Sequence, residues 1–122
     1  MSTILVVDDD DAIREGLQLL LELSGYSVVT ARDGVEALET LNQQIPALVL
    51  LDLTMPRLDG FGLARELERR HLRPGLPIIV LTADGSAQDS AEGVGAERCM
   101  RKPFDSQVLL DQVERLTSQR GA

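Results

Sequence analysis

The chain reads as an α/β protein: a doubly wound, three-layer arrangement in which a parallel five-stranded sheet carries helices on both faces. Three observations predict it. Short runs of consecutive large apolar residues recur along the chain, as in Ile4-Leu5-Val6-Val7, Leu48-Val49-Leu50-Leu51 and Ile78-Ile79-Val80-Leu81. Strands of that kind are buried on both faces, which is the condition of a parallel sheet covered by helices. Between the runs, apolar residues return at helical spacing, and the connections are short.

In order, Ile4 to Val7 forms the first strand and is followed at once by Asp8, Asp9, Asp10 and Asp11. Ile13, Leu17, Leu20 and Leu21 mark the first helix, capped by Asp10 or Asp11 and closed by Gly25. Tyr26 to Ala31, rich in valine and threonine, is the second strand. Asp33 caps a second helix bearing Val35, Ala37, Leu38 and Leu41, which must stop before Pro46. Leu48 to Leu51, between Pro46 and Pro56, is the third strand and delivers Asp52 at its carboxyl end. A third helix spans residues 60–70, ending near Pro74-Gly75. Pro77 to Leu81 is the fourth strand and delivers Thr82. A fourth helix over residues 87–95 holds Gly93 and Gly95 and is expected to be short or irregular, since glycine costs about 1 kcal/mol relative to alanine inside a helix. Arg98 to Arg101 is the fifth strand, ending at Lys102-Pro103. Asp105 caps a last helix with Val108, Leu109, Val113 and Leu116 on one face. Residues 118–122 read as a frayed tail.

Composition limits the function. At 122 residues the chain is expected to be one domain, burying roughly 65% of the surface its unfolded chain exposes. A formal charge of −8 argues against direct nucleic acid binding, which needs clustered Lys and Arg. It favours cations and basic partners. A single cysteine, Cys99, excludes an intrachain disulfide and suits a reducing, cytoplasmic compartment. No signal peptide is expected, because the apolar run Ile4 to Val7 is too short and is followed by acids, and no apolar run is long enough to span a membrane.

Open parallel sheets place their ligands at the carboxyl ends of the strands. Those ends carry Asp8, Asp9, Asp52, Thr82 and Lys102. Clustered carboxylates repel, and each is pushed toward its neutral form unless a cation neutralises the group. Magnesium, a hard ion that takes oxygen ligands and shares its coordination with phosphate, is the fitting partner. Carboxylates of Asp8, Asp9 and Asp52, with the backbone carbonyl of Thr54, can supply those oxygens. Asp52 can then act as nucleophile toward a phosphoryl donor, while the Lys102 ammonium and Thr82 hydroxyl face the transferred group.

With these residues in place, the chain resembles a receiver domain of the two-component response regulators from Thr3 to about Leu116. The pieces that match are Ile4 to Asp9, Leu51 to Pro56 with Asp59-Gly60, Leu81-Thr82-Ala83, and Lys102-Pro103-Phe104. The resemblance implies a flavodoxin-like (βα)5 fold with strand order 2-1-3-4-5 and magnesium-dependent phosphorylation of Asp52. It implies a histidine kinase or histidine phosphotransfer protein as donor, and a conformational switch read by a downstream partner or output domain. Asp9 becomes the direct magnesium ligand, Asp8 the holder of an ion-bound water, and Pro103 the proline of a cis peptide. Such a protein is a signalling domain, not an enzyme on other substrates.

Two departures stand out. Cys99 occupies the place of the family's switch aromatic, three residues before the lysine, and the stretch from Thr82 to Lys102 is about two residues short by that resemblance. A second reading follows, an interaction module with altered or phosphorylation-independent output. Asp10 and Asp11 read as cap and solvated charge, Asp59-Gly60 as a turn, His71 as a helix-end cation and Asp84 as loop charge. A haloacid-dehalogenase-type hydrolase would want a second acid where Thr54 stands. A dinucleotide-binding domain would need glycines, not acids, after the first strand.

Overall fold

The structure, a computed structural model, describes residues 2–52, 60–70, 75–82, 98–101 and 105–121. Its strands are β1 (Thr3–Val7), β2 (Ser27–Ala31), β3 (Leu48–Asp52), β4 (Ile78–Thr82) and β5 (Arg98–Arg101). Its helices are α1 (Asp11–Leu23), α2 (Gly34–Gln43), α3 (Gly60–Arg69) and α4 (Ser106–Gly121). All strand pairs are parallel, and the order is β2-β1-β3-β4-β5. The short helix expected over residues 87–95 lies outside the described residues.

Alternation along the strands splits the interior into two cores. Leu5, Val7, Val49, Leu51, Ile78 and Val80 pack on one side with Ala37 and Leu41 of α2 and Leu63 and Leu67 of α3. Ile4, Val6, Leu48, Leu50, Ile79 and Leu81 pack on the other with Leu17 and Leu21 of α1 and Leu109, Val113 and Leu116 of α4. Among the described residues two helices thus cover each face, and every residue of β3 is buried. That is the physical content of the uninterrupted apolar runs.

Helix ends follow from local chemistry. Asp10, with extended backbone (φ −84°, ψ 115°), is the cap of α1 and accepts from the Ile13 amide at 3.0 Å, which leaves Asp11 in the first turn. At the other end the Gly25 amide donates to Glu22 O and the Tyr26 amide to Leu21 O, the paired bonds of a Schellman motif. Gly25 takes φ +97° there, a left-handed conformation that glycine adopts without cost. Asp33 caps α2 through the Glu36 amide at 2.9 Å, and Glu36 reaches back to the Arg32 amide at 2.8 Å. Asp105 accepts from the amides of Gln107 and Val108 at the start of α4. Helix α4 runs to Gly121. Its apolar stripe ends at Leu116, but none of Ser118, Gln119 and Arg120 breaks a helix, so the backbone ladder continues.

Helices α2 and α3 are also tied by polar contacts. Arg70 donates from Nη1 to Asn42 Oδ1 at 2.7 Å and from Nε to Glu66 Oε1 at 3.1 Å, and Arg69 pairs with the same Glu66. Hydrogen bonds from Arg69 first, then Arg70, hold the Glu66 carboxyl down at about 2, from an ordinary value of 4.5.

Two measurements check this account. Gly16 lies in the interior of α1 with open space where a methyl group would go, whereas Gly25 is equally open but left-handed. Gly16→Ala is expected to raise urea-unfolding stability by about 0.5–1 kcal/mol and Gly25→Ala to lower it by about 1 kcal/mol. Equal signs would contradict the backbone assignment. Because the folded-state value of Glu66 is depressed, its contribution is full above about 4.5 and lost as pH falls toward about 2. The stability difference between wild type and Glu66→Gln should shrink across that window and stay flat above it.

Candidate functional site

Register places the acids before any side chain is considered. Val7 pairs with Leu51 and Asp52 with Leu81, so one residue past the β1–β3 pairing brings Asp8 beside Asp52. Neighbouring hydrogen-bonded strands lie about 4.8 Å apart. The result is a cluster in which one carboxylate oxygen from each of Asp8, Asp9 and Asp52 lies within 4.8 Å of the other two. Asp8 is 0% exposed and Asp52 4%, while Asp9 faces solvent.

The turn that carries Asp8 and Asp9 is held at several points. The Asp8 amide donates to Ala31 O at 3.1 Å, tying it to the end of β2. Asp8 Oδ1 accepts from the Asp10 amide at 2.9 Å. Arg14 donates from Nη1 to the Asp8 main-chain carbonyl at 3.0 Å and pairs through Nη2 with Asp11. Among the site residues expected from sequence, Asp8, Asp9 and Asp52 are therefore brought together. Thr82 ends β4, and its backbone pairs with Arg101 of β5, the residue before Lys102. Thr54, Lys102, Pro103, Asp59, His71 and Asp84 lie outside the described residues. Cys99 is in β5, its backbone paired with Val80.

Arg14 escaped the sequence reading. The available signal was its place in the first turn of α1, where the helix dipole disfavours a cation. A cation there needs a local reason, and Asp11 and the Asp8 carbonyl supply it.

The donor set suits a hard divalent ion. Three carboxylate oxygens converge from two adjacent strand ends, two of them from buried residues, and a cation relieves both their mutual repulsion and their desolvation. Magnesium accepts such an oxygen-only shell and keeps waters on its open side.

Fold and site together define a class: a parallel α/β domain of flavodoxin-like architecture with a cluster of carboxylates at its strand ends. Comparison with known proteins narrows it. The sequence matches the response regulator receiver domain over residues 4–114. It is 46% identical over 115 residues to response regulator MprA of Mycobacterium sp. (strain KMS), and 45% identical to the MprA of Mycobacterium leprae (strain TN). Those alignments cover 93% of this chain and 49% and 50% of the two relatives, so the chain spans about half their length. The receiver domain of the Francisella response regulator 1452 superposes with a TM-score of 0.89 at 30% identity, covering 98% of each chain. The chemotaxis protein CheY4 of Vibrio cholerae gives 0.87 at 31% identity, over 95% of this chain and 98% of its own. The chain belongs to the response regulator receiver domain family of two-component signal transduction.

A receiver of this kind is a signalling domain. Among the described residues no helix is long and apolar enough to cross a membrane. The expectation against nucleic acid is withdrawn as a statement about any longer protein: a charge of −8 belongs to these 122 residues, and the relatives carry about as much chain again.

The acid cluster makes a test without phosphate. In chelator, Asp9→Asn removes one member of a repelling trio and is expected to stabilise the protein by about 0.5–1 kcal/mol. In magnesium the wild type should gain stability by mass action, about 1.4 kcal/mol when the free ion is ten-fold above its dissociation constant, and Asp9→Asn should lose most of that gain. Denaturation with and without the ion reads both signs.

Proposed function

We propose that Asp52 is the phosphoacceptor of a magnesium-dependent phosphoryl transfer, and that residues 1–122 form a single receiver domain acting as a phosphorylation-dependent switch. The observation that carries this is the convergence of Asp8, Asp9 and Asp52 at adjacent strand ends of a receiver-family chain.

Asp8, Asp9, Asp52 and the Thr54 carbonyl would hold magnesium. When bound, the ion neutralises the carboxylates and draws charge from the phosphoryl oxygens. An Asp52 carboxylate oxygen attacks phosphorus while the bond from phosphorus to the donor breaks in line. With a phosphohistidine donor, that bond is to the imidazole nitrogen, which leaves with the electron pair. With an acyl phosphate, the acid's carboxylate leaves. A carboxylate is ordinarily ionised at neutral pH, so a nucleophile of this type requires no general base. The Lys102 ammonium and Thr82 hydroxyl would receive the new charge, completing the electrostatic surroundings phosphoryl transfer needs. Under this reading the chain is a complete (βα)5 alternation.

The donor is a histidine kinase or histidine phosphotransfer protein, the partner class that two-component receivers use. The recipient of the signal is a protein partner or an output domain. An interaction module indifferent to phosphate has less support, because a phosphate-independent surface has no use for three repelling carboxylates held at one point.

Acetyl phosphate with magnesium should yield one acid-stable, base-labile phosphoryl adduct by intact mass spectrometry. Asp52→Asn and chelator should each reduce it by at least about 10²-fold, the size of effect expected when a nucleophile or its charge-stabilising partner is lost. An adduct that persists undiminished in Asp52→Asn would refute the assignment.

A further inference from the structure

The first turn of α1 contains a guanidinium that the phosphoryl-transfer account does not use. Arg14 is only 12% exposed, and its two terminal nitrogens face different groups. Nη1 donates to the main-chain carbonyl of Asp8 at 3.0 Å, and Nη2 pairs with the Asp11 carboxylate. The bridge therefore spans the turn from the buried Asp8, one residue past β1, to the first residue of α1. Asp9 and Asp10 lie inside that span. Asp10 is already fixed by its capping bond to the Ile13 amide and by its own amide bond to Asp8 Oδ1. Asp9 is exposed, yet its carboxylate reaches within 4.8 Å of two buried ones that repel it. Backbone restraint on either side is what can keep it there.

We infer that Arg14 is a positioning residue of the acidic site: by bridging the Asp8 carbonyl to Asp11 it holds the turn so that Asp9 presents its carboxylate to the ion shared with Asp8 and Asp52. The inference rests on the proposed magnesium role of that cluster. It has a competitor with the opposite sign. A cation this close to the site also repels a divalent ion, so if charge alone mattered, removing Arg14 would tighten binding. Geometry and charge separate cleanly by substitution. A lysine keeps the charge, but its single ammonium lacks the planar fork that reaches a carbonyl and a carboxylate in fixed geometry. A glutamine removes the charge and the bridge together.

The experiment is magnesium titration of wild type, Arg14→Lys and Arg14→Gln, followed by backbone NMR, with amide hydrogen exchange of residues 9–11 measured in chelator. Both variants are expected to weaken magnesium on the order of ten-fold, as loss of an outer partner of a metal ligand does. Exchange at 9–11 should speed up in both without the ion, while amides of β1 and β3 keep their protection. With acetyl phosphate, the magnesium concentration giving half-maximal rate should rise and the rate at saturating magnesium should stay near wild type. If Arg14→Gln binds magnesium more tightly and Arg14→Lys is unchanged, charge governs and the inference fails. Unchanged affinity in both variants, or a lowered saturating rate at unchanged affinity, also overturns it. Where Arg14→Gln does not fold, Arg14→Lys alone decides, since charge without the bridge predicts wild-type affinity. A wild type that binds no magnesium defeats the proposed function itself; a wild type that binds while the variants match it defeats only the role of Arg14.

Discussion

Three carboxylates that repel one another, held with oxygens within 4.8 Å, are the constraint around which this domain is built. At an effective dielectric of about 20, two unit charges at that separation cost on the order of 3 kcal/mol, and in bulk water about 1 kcal/mol. A flexible chain would let them drift apart. Here two of the three belong to buried residues at the ends of β1 and β3, adjacent strands in the middle of the sheet. Separating them would mean breaking the β1–β3 ladder, whose residues from Ile4 to Val7 and from Leu48 to Leu51 are all fully buried. Each such side chain contributes about 1.5–3 kcal/mol on leaving water. Packing of that size readily exceeds the repulsion it must contain.

Under the proposed function, the same burial would spread the effect of a charge change at Asp52. Side chains of β3 alternate between a core closed by α2 and α3 and one closed by α1 and α4. Asp52 is the last residue of that strand. A group added there bears on an element packed from both sides, and it does so beside Thr82, which ends the neighbouring β4. The β1 turn is coupled as well, because the Asp8 amide is bonded to Ala31 at the end of β2.

Much of this was legible in the sequence, and the reason differs from element to element. Four-residue apolar runs announced β1, β3 and β4 because a parallel strand buried on both faces admits nothing else. Asp33, Asp105 and Gly25 marked helix ends because caps and left-handed closures need those residue types. The cap of α1 was ambiguous between Asp10 and Asp11, since adjacent aspartates offer the same chemistry, and only backbone angles and the Ile13 amide decide it. The end of α4 leaves no apolar mark, because the stripe stops at Leu116 while the helix runs to Gly121. Arg14 was invisible for a deeper reason. One of its partners is a main-chain carbonyl, which every residue has, so no residue type signals it. A net charge of −8 describes these 122 residues only, so it does not bear on nucleic acid binding by the longer relatives.

The placement of the site also accounts for how far the sequence can diverge while the fold holds. Solved receivers at 30–31% identity superpose with TM-scores of 0.87–0.89. What fixes the distance between Asp8 and Asp52 is the hydrogen-bonded spacing of two parallel strands, and main-chain groups supply that spacing whatever side chains the cores use. Any set of large apolar residues that fills both cores keeps the two acids adjacent. Asp9 is the member not covered by this argument. It lies beyond the strand, exposed, and its position depends on the turn from Asp8 to Asp11 and on the side chains that brace it. The geometry of the acidic cluster is therefore as secure as the sheet for two of its carboxylates, and only as secure as one short turn for the third.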